Sequence, residues 1–199
     1  MGRPKQSVVI DGRSLLDWSL DCFEGLGGES IVVLAPGSEA PSERAELRRI
    51  VNPHPDRGMM SSIAAGLAAL ANDDAWAFVL PVDCPGVRAQ TAALLIDAVR
   101  GTESAAAVPM FRGRRGHPVL LGPPAVSAAL RAAEHPGGAP SSRTTGAASL
   151  ANVLAELGDA VRIVPVDDPG VLGNVNRPED VERLRAEMGT GSPEERGET

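Results

Sequence analysis

The chain reads as an α/β protein, a mainly parallel mixed sheet with helices on both faces. Three observations predict this. Short β-rich runs alternate with segments that carry apolar residues at helical spacing. Runs such as Ile31–Ala35 and Trp76–Leu80 are apolar throughout and bounded by turn residues, as buried strands of such a sheet are. Aromatic residues make up only 3% of 199, with no Tyr, so the core is built from Val, Leu, Ile and Ala.

The elements follow in order. Ser7 to Ile10 is a short strand, turned by Asp11-Gly12. Leu15 to Leu26 carries Leu15, Leu16, Leu20 and Phe23 at helical spacing, with Ser14 as its N-cap and Gly27-Gly28 as its end. Ile31 to Ala35 is a strand, Ser42 to Arg49 a short polar helix, and Val51 opens a strand that leads into a Pro-rich loop. Ser61 or Ser62 caps a small-residue helix, Ile63 to Ala71, before the strand Trp76 to Leu80. Thr91 to Val99 is an amphipathic helix and Ala105 to Met110 a strand. The basic turn Arg112 to Gly116 leads into a strand from His117 to Leu121. Ser127 to Ala133 is helical, and His135 to Gly146 is a surface loop rich in Gly, Pro, Ser and Thr. Ser149 to Leu157 is a helix, Val161 to Val166 a strand, and Pro178 to Met188 a last helix with Pro in its first turn. With no internal repeat or second boundary, residues 1–188 read as one domain and 189–199 as a disordered polar tail.

A net charge of -7 argues against nucleic acid or an anionic membrane as partner. It leaves room for a small polyanion, because helix N-termini and backbone amides bind phosphate without net positive charge. Cys22 and Cys84 lie far apart, match no metal-ligand spacing and fit a reduced cytoplasmic setting. No signal peptide is visible, and no apolar run is long enough to cross a bilayer.

Five stretches carry candidate chemistry. Phe78 to Pro85 is an apolar run ending at one carboxylate, Asp83, flanked by Pro81 and Pro85. At the carboxyl end of a strand such a group can hold a divalent metal carried by a polyphosphate, or simply open a solvated turn. Cys84 beside it is a ligand or, more in keeping with its residue type, a buried filler. Gly58 to Leu67 feeds Ser61-Ser62 into a helix of small residues, a phosphate-facing helix start or a plain N-cap. Arg114 and Arg115, between glycines, suit bidentate phosphate contacts, with His117 following as a structural or catalytic group. Asn174 and Asn176 place two side-chain carbonyls near a strand end, where one could complete a metal site with Asp83 or both could line a turn. Met1 to Lys5, which holds the chain's only lysine, could bring Arg3 and Lys5 to a triphosphate or be a frayed terminus.

Together, in this order and spacing, these stretches resemble the nucleotidyltransferases that complete the molybdenum cofactor, most closely the molybdenum-cofactor cytidylyltransferases. The matching pieces are Met1-Gly2-Arg3-Pro4-Lys5, Gly58 to Leu67, Leu80 to Pro85, Arg115 to Pro118, Asp167-Asp168-Pro169-Gly170 and the helix start Pro178-Glu179-Asp180. The resemblance implies a three-layer, Rossmann-like fold of the nucleotide-diphospho-sugar transferase kind. It implies transfer of CMP, or GMP, from CTP or GTP to a molybdopterin-type phosphate, with release of pyrophosphate. Arg-Gly-His-Pro favours CTP, whereas Asn174-Val175-Asn176 looks more like the guanylyl enzymes.

By the same resemblance Asp83, with Asn174 or Asn176, would hold Mg2+, and Lys5 and Arg3 would neutralise the leaving phosphates. Gly2, Gly58, Ser61, Ser62 and Pro81 would lie against the nucleotide. Arg114, Arg115 and His117 would face the acceptor phosphate. A molybdoenzyme or its maturation factor would be the protein partner. The family's first strand and Gly-rich loop fall before Met1; a mis-called start codon is the simplest explanation and a degenerate relative the other, in which case the sheet would have a gap or a repaired order. That departure motivates a second reading, a non-catalytic cofactor-binding relative. A third, a nicotine-blue-type oxidoreductase, lacks the expected strand–GxGxxG–helix fingerprint.

Overall fold

The computed structural model describes residues 9–10, 12–40, 42, 44, 46–70, 72, 74–134, 148–173, 175 and 180. A tight hairpin, β1 (Val9–Ile10) and β2 (Arg13–Ser14), turns at Gly12 with φ +80°. It leads directly into α1 (Leu15–Asp21), where Ser14 Oγ accepts from the Asp17 N–H at 3.1 Å, the cap its residue type predicts. The helix is shorter than its apolar spacing suggests. It ends at Asp21, and the chain turns so that the Phe23 ring meets Phe78, centroids 5.0 Å apart.

β3 (Ser30–Leu34) pairs in parallel with β4 (Leu47–Val51). This corrects the expected polar helix over Ser42 to Arg49, and Val51 closes this strand rather than opening another. Arg48 and Arg49 made the segment look like a helix's wet face. They are instead the exposed charges of a sheet edge, where charged side chains block further pairing. Arg48 reaches Glu29 at 3.3 Å and the Ala69 carbonyl at 2.8 Å, and Arg49 reaches the Ser42 carbonyl at 2.9 Å.

α2 (Met59–Ala68) follows a 3-10 turn at Pro55–Arg57. Neither Ser61 nor Ser62 caps it. Gly58 holds the cap position at φ +83°, a left-handed conformation open to glycine, and both serines fall inside the first turn. β5 (Ala77–Val79), α3 (Ala89–Val99), β6 (Ala106–Phe111), β7 (Arg114–Arg115) and β8 (Val119–Leu121) come next. α4 (Pro123–Glu134) starts four residues earlier than expected, with prolines in its first turn. α5 (Leu150–Leu157) is capped by Ser149, and β9 (Val161–Pro165) is followed by a 3-10 turn at Pro169–Leu172. The expected loop at 135–146, the helix at 178–188 apart from Asp180 and the tail at 189–199 lie outside the described residues.

The larger sheet is mixed. β8 lies antiparallel between β5 and β6, β7 folds back on the same edge of β6, and β9 runs parallel along the other edge. Its main core cluster joins Met60 and Leu67 of α2, Val108, Val119 and Leu121 of the sheet, Ala125 and Ala129 of α4, and Val153 and Leu154 of α5. Among the described residues β3 and β5 share no ladder, so the pair β3-β4 stands apart from the larger sheet.

Candidate functional site

Among the described candidates, Asp83 and His117 lie at the end of β5. After Val79 the chain turns through Pro81 to Cys84, closed by the Cys84 N–H on the Pro81 carbonyl at 3.0 Å. Asp83 sits in this turn, half-buried, outside the carboxyl end of the strand. Cys84 next to it is fully buried with Cys22, Val87, Phe23 and Leu80, which makes it packing. Burial pushes the Cys22 thiol up to about 12. The Asp83 carbonyl accepts from Val175 N at 2.7 Å, which ties the chain around Val175 to the turn. Asn174 and Asn176, on either side of Val175, lie outside the described residues, as do Gly2, Arg3 and Lys5.

The α2 start is organised by a residue that local sequence reading passes over. Asn52, buried at the exit of β4, donates through Nδ2 to Ser61 Oγ at 2.8 Å and Ser62 Oγ at 3.0 Å. Its Oδ1 accepts from His54 N at 2.9 Å, and its own N–H bonds the Leu34 carbonyl at 2.8 Å. Nδ2 of Asn52 therefore fixes the two serines at a half-exposed helix start, while its Oδ1 holds the His54 turn. The available signal was Asn before Pro53 at a strand end, a turn-forming pair.

Arg114 and Arg115 are exposed on β7, beyond a turn formed by Arg112 at φ +48° and Gly113 at φ +77°. His117 behaves differently. It is half-buried, and its Nδ1 is enclosed with no hydrogen-bond partner among the described residues. Burial holds its pKa below the usual 6.5, while the Asp83 charge and the Val79 backbone pull it weakly upward. Thus His117 lies within the field of Asp83, and the structure brings these two together with the end of β5.

A second missed residue is Asp168, only 2% exposed. Its Oδ2 accepts from Arg88 N at 2.9 Å and from Thr91 Oγ1 at 2.6 Å, and its Oδ1 accepts from Gly170 N at 2.9 Å. Sequence reading saw it as part of a turn, because its partners on α3 lie 77 to 80 residues away.

Among the described residues no cluster of three or more His, Cys, Asp or Glu could enclose a metal, and no helix is long and apolar enough to cross a membrane. A magnesium ion delivered with a polyphosphate needs no such cluster. One or two carboxylates suffice beside phosphate oxygens and water, and Asp83 at the strand end fits that role.

Asp83 beyond the end of β5, the α2 start and the Arg114–Arg115 hairpin are carried on one mixed α/β framework. The chain belongs to the MobA-like NTP transferase domain family, which it matches over residues 1–145. It is 31% identical over 108 residues to a bifunctional IspD/IspF enzyme of Hyphomonas neptunium, covering 54% of this chain and 28% of that protein. It is 32% identical over 102 residues to a bifunctional GlmU protein of Caulobacter vibrioides, covering 48% and 22%. The chain thus spans about a quarter of the length of these curated relatives.

Among solved structures it resembles the 2-C-methyl-D-erythritol 4-phosphate cytidylyltransferase of Thermus thermophilus, with TM-score 0.67, 21% identity and 94% of each chain covered. It also resembles Rv0371c of Mycobacterium tuberculosis in complex with manganese, with TM-score 0.67, 21% identity and 92% of each chain covered. A third is the molybdopterin-guanine dinucleotide biosynthesis protein A of Archaeoglobus fulgidus, with TM-score 0.65 and 19% identity, covering 95% of this chain and 92% of that one. The fold is that of the nucleotidyltransferases.

Proposed function

We propose that this chain transfers a nucleotidyl group from CTP or GTP to a molybdopterin-type phosphate. An acceptor phosphate oxygen forms a bond to the α-phosphorus, the bond between that phosphorus and the bridging α,β-oxygen breaks, and pyrophosphate leaves. The observation that carries this reading is Asp83. It stands outside the end of β5, tied through its carbonyl to Val175. Nucleotidyl transfer depends on positioning and charge stabilisation, so no protein nucleophile is required.

In this reading Asp83, with Asn174 or Asn176, holds Mg2+, and the ion supplies charge neutralisation on the polyphosphate. The manganese complex of Rv0371c supports a divalent metal in proteins of this fold. Gly58, Ser61 and Ser62 line the nucleotide through the α2 start that Asn52 fixes, with Gly2 and Pro81 beside them. Arg3 and Lys5 meet the leaving phosphates, and Arg114 and Arg115 on the exposed hairpin meet the acceptor phosphate. His117, drawn in toward Val79 and Asp83, borders the acceptor from the buried side. CTP is the preferred donor, in keeping with the cytidylyltransferase name of a structural neighbour and with Arg115 to Pro118. A cytoplasmic setting is in keeping with two cysteines that form no disulfide. A molybdoenzyme or its maturation factor would receive the product.

The test is pyrophosphate release from CTP and from GTP with molybdopterin and Mg2+. Release is expected with CTP ahead of GTP, and Asp83→Asn should lower the rate about 100-fold or more, the order seen when one charge-stabilising group is removed. A folded protein that releases no pyrophosphate from either nucleotide overturns the reading.

A further inference from the structure

We propose that Asp168 is a positioning residue that sets Asp83 and His117 relative to one another, by clamping the strap Asp168–Gly173 between the two halves of the site. The inference rests on the reading of Asp83 as the metal-holding carboxylate. It starts from an oddity of placement. A carboxylate buried to 2% exposure is expensive to desolvate and is retained where hydrogen bonds compensate it. If α3 needed only a cap, a serine or aspartate at position 88 would serve at the surface. Position 88 is Arg, without a side-chain cap bond, and its own N–H is taken up by a carboxylate 80 positions away. The carboxylate therefore joins the start of α3 to the strap, and Gly170 N closes the same group from the strap side at 2.9 Å.

From this clamp the strap touches the site at three further points. Gly170 lies against the backbone of Gly86 and Val87, the turn that leaves Asp83, with no room for a Cβ. The carbonyl of Val171, a residue 1% exposed, accepts from His117 N at 2.8 Å, and Gly116 packs directly on Val171. Val175 N then reaches back to the Asp83 carbonyl at 2.7 Å. The turn bearing Asp83 and the turn bearing His117 belong to different strands. The strap and its continuation to Val175 hydrogen-bond both, and Asp168 fixes where the strap begins. Asp168 touches neither substrate nor metal in this scheme; it acts through Gly170, Val171 and Val175.

Asp168→Asn is the direct perturbation, because an amide presents N–H groups to donors that now meet two acceptor oxygens. Thr91→Val removes the 2.6 Å donor while keeping the carboxylate, and Thr91→Ser restores a hydroxyl. Leu154→Ala, in the core cluster of α4 and α5, serves as a destabilised control remote from the strap. Two readouts apply to the whole chain: Mn2+ affinity in the presence of CTP, by electron paramagnetic resonance titration, and the His117 ring signals by heteronuclear NMR.

Asp168→Asn is expected to weaken Mn2+ binding about tenfold and to shift the His117 signals, with Thr91→Val intermediate and Thr91→Ser like wild type. Leu154→Ala should move neither. Wild-type binding and unshifted His117 signals in both Asp168→Asn and Thr91→Val overturn the proposal, as does an equal effect from Leu154→Ala. Should Asp168→Asn not fold, Thr91→Val decides. Should wild type and Asp83→Asn bind Mn2+ alike, the metal reading of Asp83 falls, and the His117 signals still decide the clamp.

Discussion

Replacing Gly170 by alanine tests whether the strap is as tightly seated as the geometry says. A Cβ at this position would collide with the Gly86 carbonyl and lie 2.9 Å from Val87 N. Both obstacles are backbone, so neither can rotate aside as a side chain would. Forcing extra volume into packed structure costs about 1–3 kcal/mol. Displacing Gly170 also breaks its N–H bond to the buried Asp168 carboxylate, a charged hydrogen bond of the kind that contributes about 1.5–3 kcal/mol. Together these give about 2.5–6 kcal/mol, a large part of the ~5–15 kcal/mol that holds a typical domain folded. For a chain of this size the melting temperature should fall by about 5–24 °C, at ~2–4 °C per kcal/mol. Gly66→Ala supplies the contrast. Its Cβ would meet only Val33 Cγ2, at 3.1 Å, a methyl that can shift, while alanine recovers ~1 kcal/mol of helix propensity inside α2. Urea and thermal unfolding of both variants decide the matter. Gly170→Ala within about 1 kcal/mol of wild type, or Gly66→Ala costing as much, refutes the steric account.

Three further outcomes are expected. Asn52→Ala strips the bonds to Ser61, Ser62 and His54 at a buried position and should cost about 2–3 kcal/mol in urea unfolding; a loss under ~0.5 kcal/mol would mean the serines find other partners at no cost. With metal removed, lowering the pH through 6.5 should destabilise the protein in part through His117. Burial holds its folded pKa below that value, so the unfolded chain takes up the proton first and the stability present above pH 6.5 is lost on acidification. His117→Gln should show a shallower loss as the pH falls through that value; an unchanged slope removes His117 from the cause. Cys22 and Cys84, both essentially fully buried, should resist a thiol reagent at mildly alkaline pH in the native state and react on unfolding, since the Cys22 thiol, at about 12, stays protonated. Rapid native labelling would contradict that burial.

Elements fixed by local chemistry were legible. Ser14 caps α1, and the apolar runs at 31–34 and 77–79 are strands. What failed depended on partners distant in sequence. Residues 47–51 are a strand because β3 offers them a parallel ladder, and nothing within the segment announces it. Ser61 and Ser62 looked like caps because serine favours that place; the glycine before α2 took it, since a left-handed residue turns the chain there, and left the hydroxyls to Asn52. The functional stretches were legible as types and order rather than as contacts. Asp83 was visible as a carboxylate at a strand end, whereas Asp168, spanning 80 positions to Arg88, was hidden in an ordinary Asp-Asp-Pro-Gly turn.

The absence of a ladder between β3 and β5 among the described residues bears on how the site is held together, because the α2 start belongs with β3-β4 and Asp83 with β5. Side chains span the interruption from both faces. Above, Gly66 of α2 packs on Val33, while Met60, Ile63 and Leu67 of the same helix share a cluster with Ala77 and Val79. Below, Leu16 and Leu20 of α1 meet Val32 and Leu34, and Phe23 stacks at a tilt on Phe78. The alternation is that of two strands in one layer, with odd and even positions facing opposite helices. Apolar contacts of this kind hold strands side by side but carry no register of their own, unlike a backbone ladder. Register needs a directional bond, and the buried Ser19 hydroxyl of α1 offers one: its proton is shared between the Leu15 carbonyl at 2.9 Å and the Val82 carbonyl at 3.1 Å, one residue before Asp83. The half of the site on α2 and the half on β5 are thus aligned by helices on both faces and by that hydroxyl, a weaker link than the strap that aligns Asp83 with His117.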